Sequence, residues 1–191
     1  MMNWKIVFGF VLLFSVTVSA GLAEDFSLQY FLEKTSFKTY ELSKRERTEL
    51  LNQIERVLEQ AKEVQSRLSR ALQGGETDIK YQEGKFWMSK LEQDQSSIES
   101  GAQQLKILKE KPIQIAAAVK LYKALKDLSF HLNSYNNMPS FSAYIGDIAP
   151  EMELWTDPIF YKLYVLPLAQ AKSVETKTPT KEKKTEVKGK K

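Results

Sequence analysis

The side chains that most often carry out catalysis or bind metals are scarce in this chain. It contains one histidine, His131, and no cysteine among 191 residues. A Ser-His-Asp triad would have to use His131, which lies in an apolar helical stretch between Phe130 and Leu132, where a lone histidine is more often structural. Zinc sites of cysteine and histidine and c-type haem attachment both need residues that are absent. We therefore expect no metal, no cofactor and no histidine-based catalysis.

Carboxylates are the remaining candidates for an acid–base pair. Those that lie close together among aromatic residues are Asp147, Glu151, Glu153 and Asp157. A glycoside hydrolase needs two carboxylates that face each other across a sugar-binding cleft. An envelope enzyme acting on glycans is therefore an alternative. Helix caps and solvated turns explain the same residues more simply, and we expect a non-enzymatic protein.

Aromatic residues concentrate between 141 and 164. Tyrosine and tryptophan are enriched in the cores of protein interfaces, so these rings are candidates for an interaction patch. The alternative is that bulky rings cover the end of the folded domain. The candidate patch consists of Tyr144, Trp155, Phe160, Tyr161 and Tyr164.

The N-terminal segment has the features of a secretory signal peptide. Lys5 precedes an uncharged apolar run, and small residues allow cleavage after Ala20 or Ala23. An uncleaved anchor is the alternative, because a spanning helix needs roughly 17–25 residues and 6–23 carry no charge. In both cases the rest of the chain is exported. Since cysteines and Asn-X-Ser/Thr sequons are absent, we expect a bacterial periplasmic or extracellular protein.

The clearest helix is predicted from about 44 to 73. Ser43 and Glu46 have the spacing of a capping box, and Gly74-Gly75 provides a stop. The apolar residues between them repeat at intervals of 4 and 3, as on one face of a helix. This seam fits intramolecular packing, but self-association through the 50–71 helix is also open. The seam residues are Leu50, Ile54, Val57, Ala61, Val64, Leu68 and Ala71.

Two further long helices are predicted from apolar periodicity. The inner face of the second consists of Phe86, Trp87, Leu91, Ile98, Ala102, Leu105 and Leu108, and Asp94 interrupts it. The third is expected from about Pro112 to Tyr135, with Ala118, Leu121, Leu125, Leu128, Leu132 and Tyr135 on its main face. Ile115, Val119 and Tyr122 give it a second apolar edge. A loop should follow from 133 to 139.

Shorter elements are predicted at both ends of the folded part. Residues 24–42 fit a short helix and a loop, with Asp25 as a possible cap. Between 140 and 170, Gly146 and three prolines are expected to break the chain into pieces. Asp157 and Pro158 should cap and start a short helix that runs through Val165.

Charge is distributed unevenly along the chain. Residues 172–191 contain eight lysines and three glutamates, a net charge of +5, whereas 21–171 carry −2. A nearly neutral folded part does not indicate a basic groove, so nucleic acid is not an expected partner. The tail has too few apolar residues to fold and should be disordered. It is either a solvated end or a tether to anionic envelope polymers or lipid headgroups.

These features predict an all-α fold, an up-down antiparallel helical bundle of three long helices and a shorter broken fourth. The predicted divisions are a signal peptide at 1–23, a bundle domain at 24–171 and a disordered lysine-rich tail at 172–191. We expect an exported, non-enzymatic protein with a binding, scaffolding or structural role in the cell envelope. Its partner would be another protein or an anionic envelope surface. A signal-anchored coiled-coil adaptor is a further alternative.

Overall fold

Helices form every regular element in the described part of the chain. A computed structural model describes residues 26–37 and 41–175, so the predicted signal peptide and residues 176–191 of the tail lie outside the described residues. The prediction of an all-α protein is confirmed. The elements are α1 (Leu28–Lys34), α2 (Lys44–Gly74), α3 (Tyr81–Glu110), α4 (Ile115–Asn136), α5 (Pro139–Ile145), α6 (Ile148–Leu154), a π-helix (Trp155–Val165) and α7 (Leu166–Glu175).

Helix α1 is a short element that packs against the C-terminal part of the chain. Ser27 caps it by accepting a hydrogen bond from the Tyr30 amide, while the predicted cap, Asp25, lies outside the described residues. The fully buried ring of Phe31 meets the ring of Trp155 at 5.8 Å between centroids. This contact ties the first described helix to the π-helix.

Helix α2 begins and ends as its local sequence predicts. The Ser43 hydroxyl accepts from the Glu46 amide at 3.2 Å, and Glu46 Oε2 accepts from the Ser43 amide at 2.7 Å. Gly75, at φ +69°, ends the helix in the left-handed conformation that glycine adopts most easily. All seven seam residues are buried within this chain. The seam therefore packs intramolecularly and is not exposed to a second copy in this fold.

The long helices run antiparallel to their neighbours. Lys109 Nζ bonds to Glu55 Oε2 at 2.6 Å, and Gln65 Nε2 donates to the Leu91 carbonyl at 3.1 Å, so α2 and α3 run in opposite directions. Helix α4 also packs along α3, and both α2 and α4 meet α3 near Gly101. Helix α6 and the π-helix pack against α4 and α2 and complete the core between these elements.

Two positions on the predicted inner face of α3 are corrected by the structure. Phe86 and Ala102 are exposed, whereas Asp94 is buried. The face that meets α2 and α4 is therefore rotated from the one that apolar residues alone indicated. Asp94 can lie inside because α4 supplies its hydrogen-bond donors.

The boundaries of α4 also differ from the prediction. Pro112 lies in a turn, in which the Gln114 amide bonds to the Lys111 carbonyl at 3.1 Å, and the helix begins at Ile115. This turn reverses the chain between two antiparallel helices. At its other end α4 continues to Asn136, so most of the predicted 133–139 loop is helical. Val119, predicted on a second apolar edge, is about half exposed.

Pro158 does not start a helix, contrary to the prediction. It lies inside a helical segment, and the turns around it are π-helical. Proline has no N–H to donate, and in an α-helix its ring would clash with the carbonyl four residues earlier. The wider π turn gives the ring room, so α6, the π-helix and α7 follow one another without a loop. Helix α7 runs to Glu175, past the predicted boundary at 171.

Candidate functional site

Asp157 is the most extensively bonded of the four candidate acid–base carboxylates. It accepts from the Tyr122 hydroxyl at 2.8 Å and pairs with Lys126. Burial alone would raise the pKa of the Asp157 carboxyl, but bonds from Lys126 and Tyr122 and the Lys126 charge hold it below its usual value. Burial and the Asp157 carboxylate raise the pKa of Tyr122 to about 12. This ionised carboxylate docks the π-helix onto α4.

The other three carboxylates lie at separate places. Glu151 accepts from Trp155 Nε1 at 3.1 Å, and Glu153 accepts from Asn133 Nδ2 at 3.4 Å. Asp147 is exposed at the start of α6. Since no two of the four share a hydrogen-bond partner, their arrangement favours structural roles.

The five aromatic residues of the candidate patch are divided between core and surface. Trp155, Phe160 and Tyr164 are buried in the core, so their rings are not exposed as a binding surface. Tyr144 is half-buried, and Tyr161 is exposed. Burial of the three central rings favours the alternative explanation, in which they complete the core.

Sequence reasoning missed a polar cluster between α3 and α4. Asp94 is buried, and its Oδ2 accepts from the Tyr135 hydroxyl at 2.5 Å. Asp94 Oδ1 lies 2.5 Å from His131 Nδ1. Burial and the neighbouring carboxylate raise the pKa of Tyr135 far above its ordinary value, so its hydroxyl stays protonated and remains the donor. Both carboxylate oxygens are therefore satisfied across the α3–α4 contact.

The cluster orients the imidazole of His131 towards the surface. The ring is partly exposed, and Nε2 has no hydrogen-bond partner among the described residues. Because those residues include no buried side-chain nitrogen or oxygen without a partner, Nε2 is in contact with solvent. A carboxylate that fixes one imidazole nitrogen and leaves the other accessible is the geometry of a general base. The signal in the sequence was Asp94 itself, a carboxylate at an inner position.

Aromatic rings extend the cluster to the surface on both sides. His131 contacts the ring of Phe130, which is exposed, and lies 6.5 Å from Tyr135. Tyr135 in turn meets Trp87, whose ring contacts the exposed Phe86.

The outer face of α4 exposes large apolar side chains. Val119, Lys123, Lys126 and Phe130 follow one another at intervals of 4, 3 and 4, so they share one face of the helix. All four are exposed. The 4-3-4 spacing is visible in the sequence, but a helix with apolar residues on two sides does not show which side meets the core.

Within 26–37 and 41–175, no helix has both the length and the apolar character needed to cross a bilayer. The same residues contain no group of three or more acidic or histidine side chains placed to share a metal ion. Comparisons with models of protein families, with curated proteins and with solved structures find no match.

Proposed function

We propose that this chain is an exported helical-bundle protein that binds at an anionic surface of the cell envelope, and that its lysine-rich tail provides the electrostatic attachment. The observation that carries the proposal is the separation of charge along the chain. Residues 176–191, which follow α7, contain seven lysines and two glutamates, a net charge of +5. A lysine near an anionic surface contributes up to about 1 kcal/mol, so such a segment supports attachment without any change in the folded part.

The position of α7 supports this role for the tail. Pro167, Leu168 and Ala171 line a surface cavity together with Pro112 and Ile113 of the α3–α4 turn. The tail therefore begins close to one end of the bundle. Its lysines can bind a surface there while the long faces of α2 and α3 stay accessible to a partner.

The test compares the mature chain with a form that ends at Glu175. Truncation removes the +5 charge but none of the described helices, so stability should not change. At low salt, the full-length chain should sediment with anionic vesicles or cell-wall fragments much more than the truncated form. Raising the salt should release it, because the Debye length falls from about 30 Å at 0.01 M to about 8 Å at 0.15 M. Equal binding of both forms at low salt would refute attachment by the tail.

Export is tested by the N-terminus of the native protein. Cleavage after Ala20 or Ala23 would leave Gly21 or Glu24 as the first residue. Intact Met1 on protein that only detergent extracts would support the signal-anchored adaptor instead.

A second candidate function is acid–base catalysis at His131. The observation in its favour is the 2.5 Å contact between Asp94 Oδ1 and His131 Nδ1, with Nε2 in contact with solvent. The test is hydrolysis of a panel of ester and glycan substrates by the wild type and by His131→Ala. Activity that His131→Ala abolishes, in a variant that still folds, would favour the enzyme.

A further inference from the structure

We infer that the outer face of α4 is a membrane-contact surface, which inserts its apolar side chains into an anionic phospholipid bilayer beside the tail. The surface consists of Val119, Lys123, Lys126 and Phe130, extended by Ile113 and Tyr161. This inference rests on the proposed function, because it names the bilayer as the anionic surface and adds a second point of attachment.

Exposure of the apolar side chains is the first argument. Val119 is 48% exposed and Phe130 is 68% exposed, although both belong to a helix whose opposite face is fully buried. Ile113, in the turn before α4, is 77% exposed. Single exposed apolar residues are common on soluble proteins, but two on one helix face, with a third in the preceding turn, indicate an interaction surface.

The π-helix extends this surface sideways. The ring of Tyr161, 40% exposed, lies 5.2 Å from the ring of Tyr122 on α4. Tyrosine has an apolar ring and a polar tip, and it is enriched where a membrane meets water. The two rings therefore lie side by side next to Val119 and Lys126.

The lysines distinguish a bilayer from a protein partner. Lysine is depleted in the cores of protein interfaces, but on membrane-bound helices its long apolar stem lies along the lipid while the ammonium reaches the headgroups. Lys123 and Lys126 occupy the middle of the surface, between Val119 and Phe130. Lysines between exposed apolar residues fit an anionic lipid surface better than a second protein.

Charge on the surface itself is modest. Lys123 pairs with Asp127 and Lys126 pairs with Asp157. Lys120 and Lys162 are exposed and form no ion pair within the described residues. The folded domain therefore supplies mainly apolar contact, and most of the electrostatic attraction must come from the tail.

The tail starts close to one end of this apolar surface. Helix α7 lies against the turn that carries the exposed Ile113. Stable attachment of a peripheral protein generally takes two signals, such as an apolar insertion and a polybasic segment. Here the polybasic tail starts near the Ile113 end of the apolar surface, and the surface extends from there along α4 to Phe130.

The experiment measures sedimentation of the mature, full-length chain with vesicles of phosphatidylglycerol and phosphatidylcholine. The test variant is Val119→Ser with Phe130→Ser, and the control is Phe86→Ser, which removes a 55% exposed ring from α3. We expect the double variant to bind about tenfold more weakly than the wild type, because two apolar side chains no longer leave water, and the control to bind as the wild type does. Unchanged circular dichroism and denaturation midpoint would show that each variant folds.

Comparison with the chain that ends at Glu175 separates the two proposals. If truncation weakens binding but the double variant binds as the wild type does, the α4 surface is refuted while attachment by the tail stands. If the double variant binds weakly and truncation has no effect, the α4 surface stands and attachment by the tail fails. If the full-length chain binds cell-wall fragments but not vesicles, the bilayer is refuted as the partner.

Discussion

Between α3 and α4, the Asp94 carboxylate is buried against the Tyr135 hydroxyl and the His131 ring. Removing a carboxylate from water has a penalty on the order of several kcal/mol unless hydrogen bonds compensate for the lost solvation. Tyr135 and His131 supply those bonds, one to each oxygen. The pair therefore fixes how α3 and α4 align, and either donor should be hard to remove.

We predict that Tyr135→Phe destabilises the fold by about 1–3 kcal/mol, because it keeps the ring but leaves one oxygen of a buried carboxylate without a donor. Urea unfolding measures the change. The matched control is Tyr144→Phe, since no hydrogen bond is formed by the Tyr144 side chain within the described residues. An equal, small effect of both substitutions would show that the Asp94–Tyr135 bond contributes little.

Buried Tyr164 and half-buried Tyr122 also predict a loss of stability in alkali. Burial raises the pKa of Tyr164 to about 12 against a lowering effect of Arg47, and the pKa of Tyr122 is also about 12. A tyrosine whose pKa is raised by folding contributes its full stabilisation at pH values below its pKa in the unfolded chain, 10.0. This contribution is lost as the pH rises through the folded pKa of about 12. The free energy of unfolding should therefore fall from pH 10 upwards.

The Tyr164→Phe variant tests how much Tyr164 contributes to this loss of stability in alkali. The variant lacks the hydroxyl that donates to the Pro112 carbonyl at 3.0 Å. Its free energy of unfolding should depend less steeply on pH above 10 than that of the wild type, as followed by denaturant titration and tyrosinate absorbance. An identical slope would mean that Tyr164 ionises equally in the folded and unfolded chains.

At the scale of elements, the two glycines of α3 have opposite environments. A Cβ at Gly101 would lie 3.3 Å from Leu58 and 3.6 Å from Ala124, whereas at Gly84 it would meet nothing within 4 Å. Gly101 thus lets α3 approach α2 and α4 closely. Gly84 has no such role and only adds freedom to the unfolded chain.

We predict that Gly84→Ala stabilises the fold by about 0.5–1 kcal/mol, because alanine loses less conformational entropy in a helix. Gly101→Leu should destabilise it by about 1–3 kcal/mol through overpacking. Thermal or urea unfolding of both variants makes the comparison within one helix. Stabilisation by Gly101→Leu would contradict the close approach of the three helices.

The π-helix shows how an element can depend on its surroundings. Pro158 prevents regular α-helical bonding, while Phe160 and Tyr164 on the same segment are buried. Asp157 adds the bond to Tyr122 on α4. Packing of these side chains and the Asp157–Tyr122 bond stabilise the π-helix, a backbone conformation that is rare in proteins.

At the scale of the whole molecule, one core joins all the long helices, and α4 shows the contrast between its two faces. We predict that Leu125→Ala, at a fully buried position, destabilises the fold by about 2–5 kcal/mol. Val119→Ala on the exposed face should change stability by no more than about 0.5 kcal/mol. Urea unfolding of both variants tests the orientation of α4. Similar losses of stability in the two variants would mean that Val119 is buried, and would refute the membrane-contact surface on α4.

The sequence alone determined the features that arise from interactions within a few residues. Ser43, Glu46 and Gly75 set the ends of α2, because capping bonds and a left-handed stop form locally. The 4-3 repeat from Leu50 to Ala71 placed one face in the core, since α2 has a single apolar stripe. The all-α class followed from such repeats, while export and the role of the tail remain predictions.

Only the tertiary structure decided which of several competing faces is buried. Asp94 is inside because its partners, 37 and 41 residues away in the chain, meet it across α3 and α4. Val119 and Phe130 have the same apolar character as the core residues, but the bundle leaves them outside. Periodicity shows which residues share a face of a helix. Which face is covered depends on contacts between segments distant in sequence, and no local pattern records those contacts.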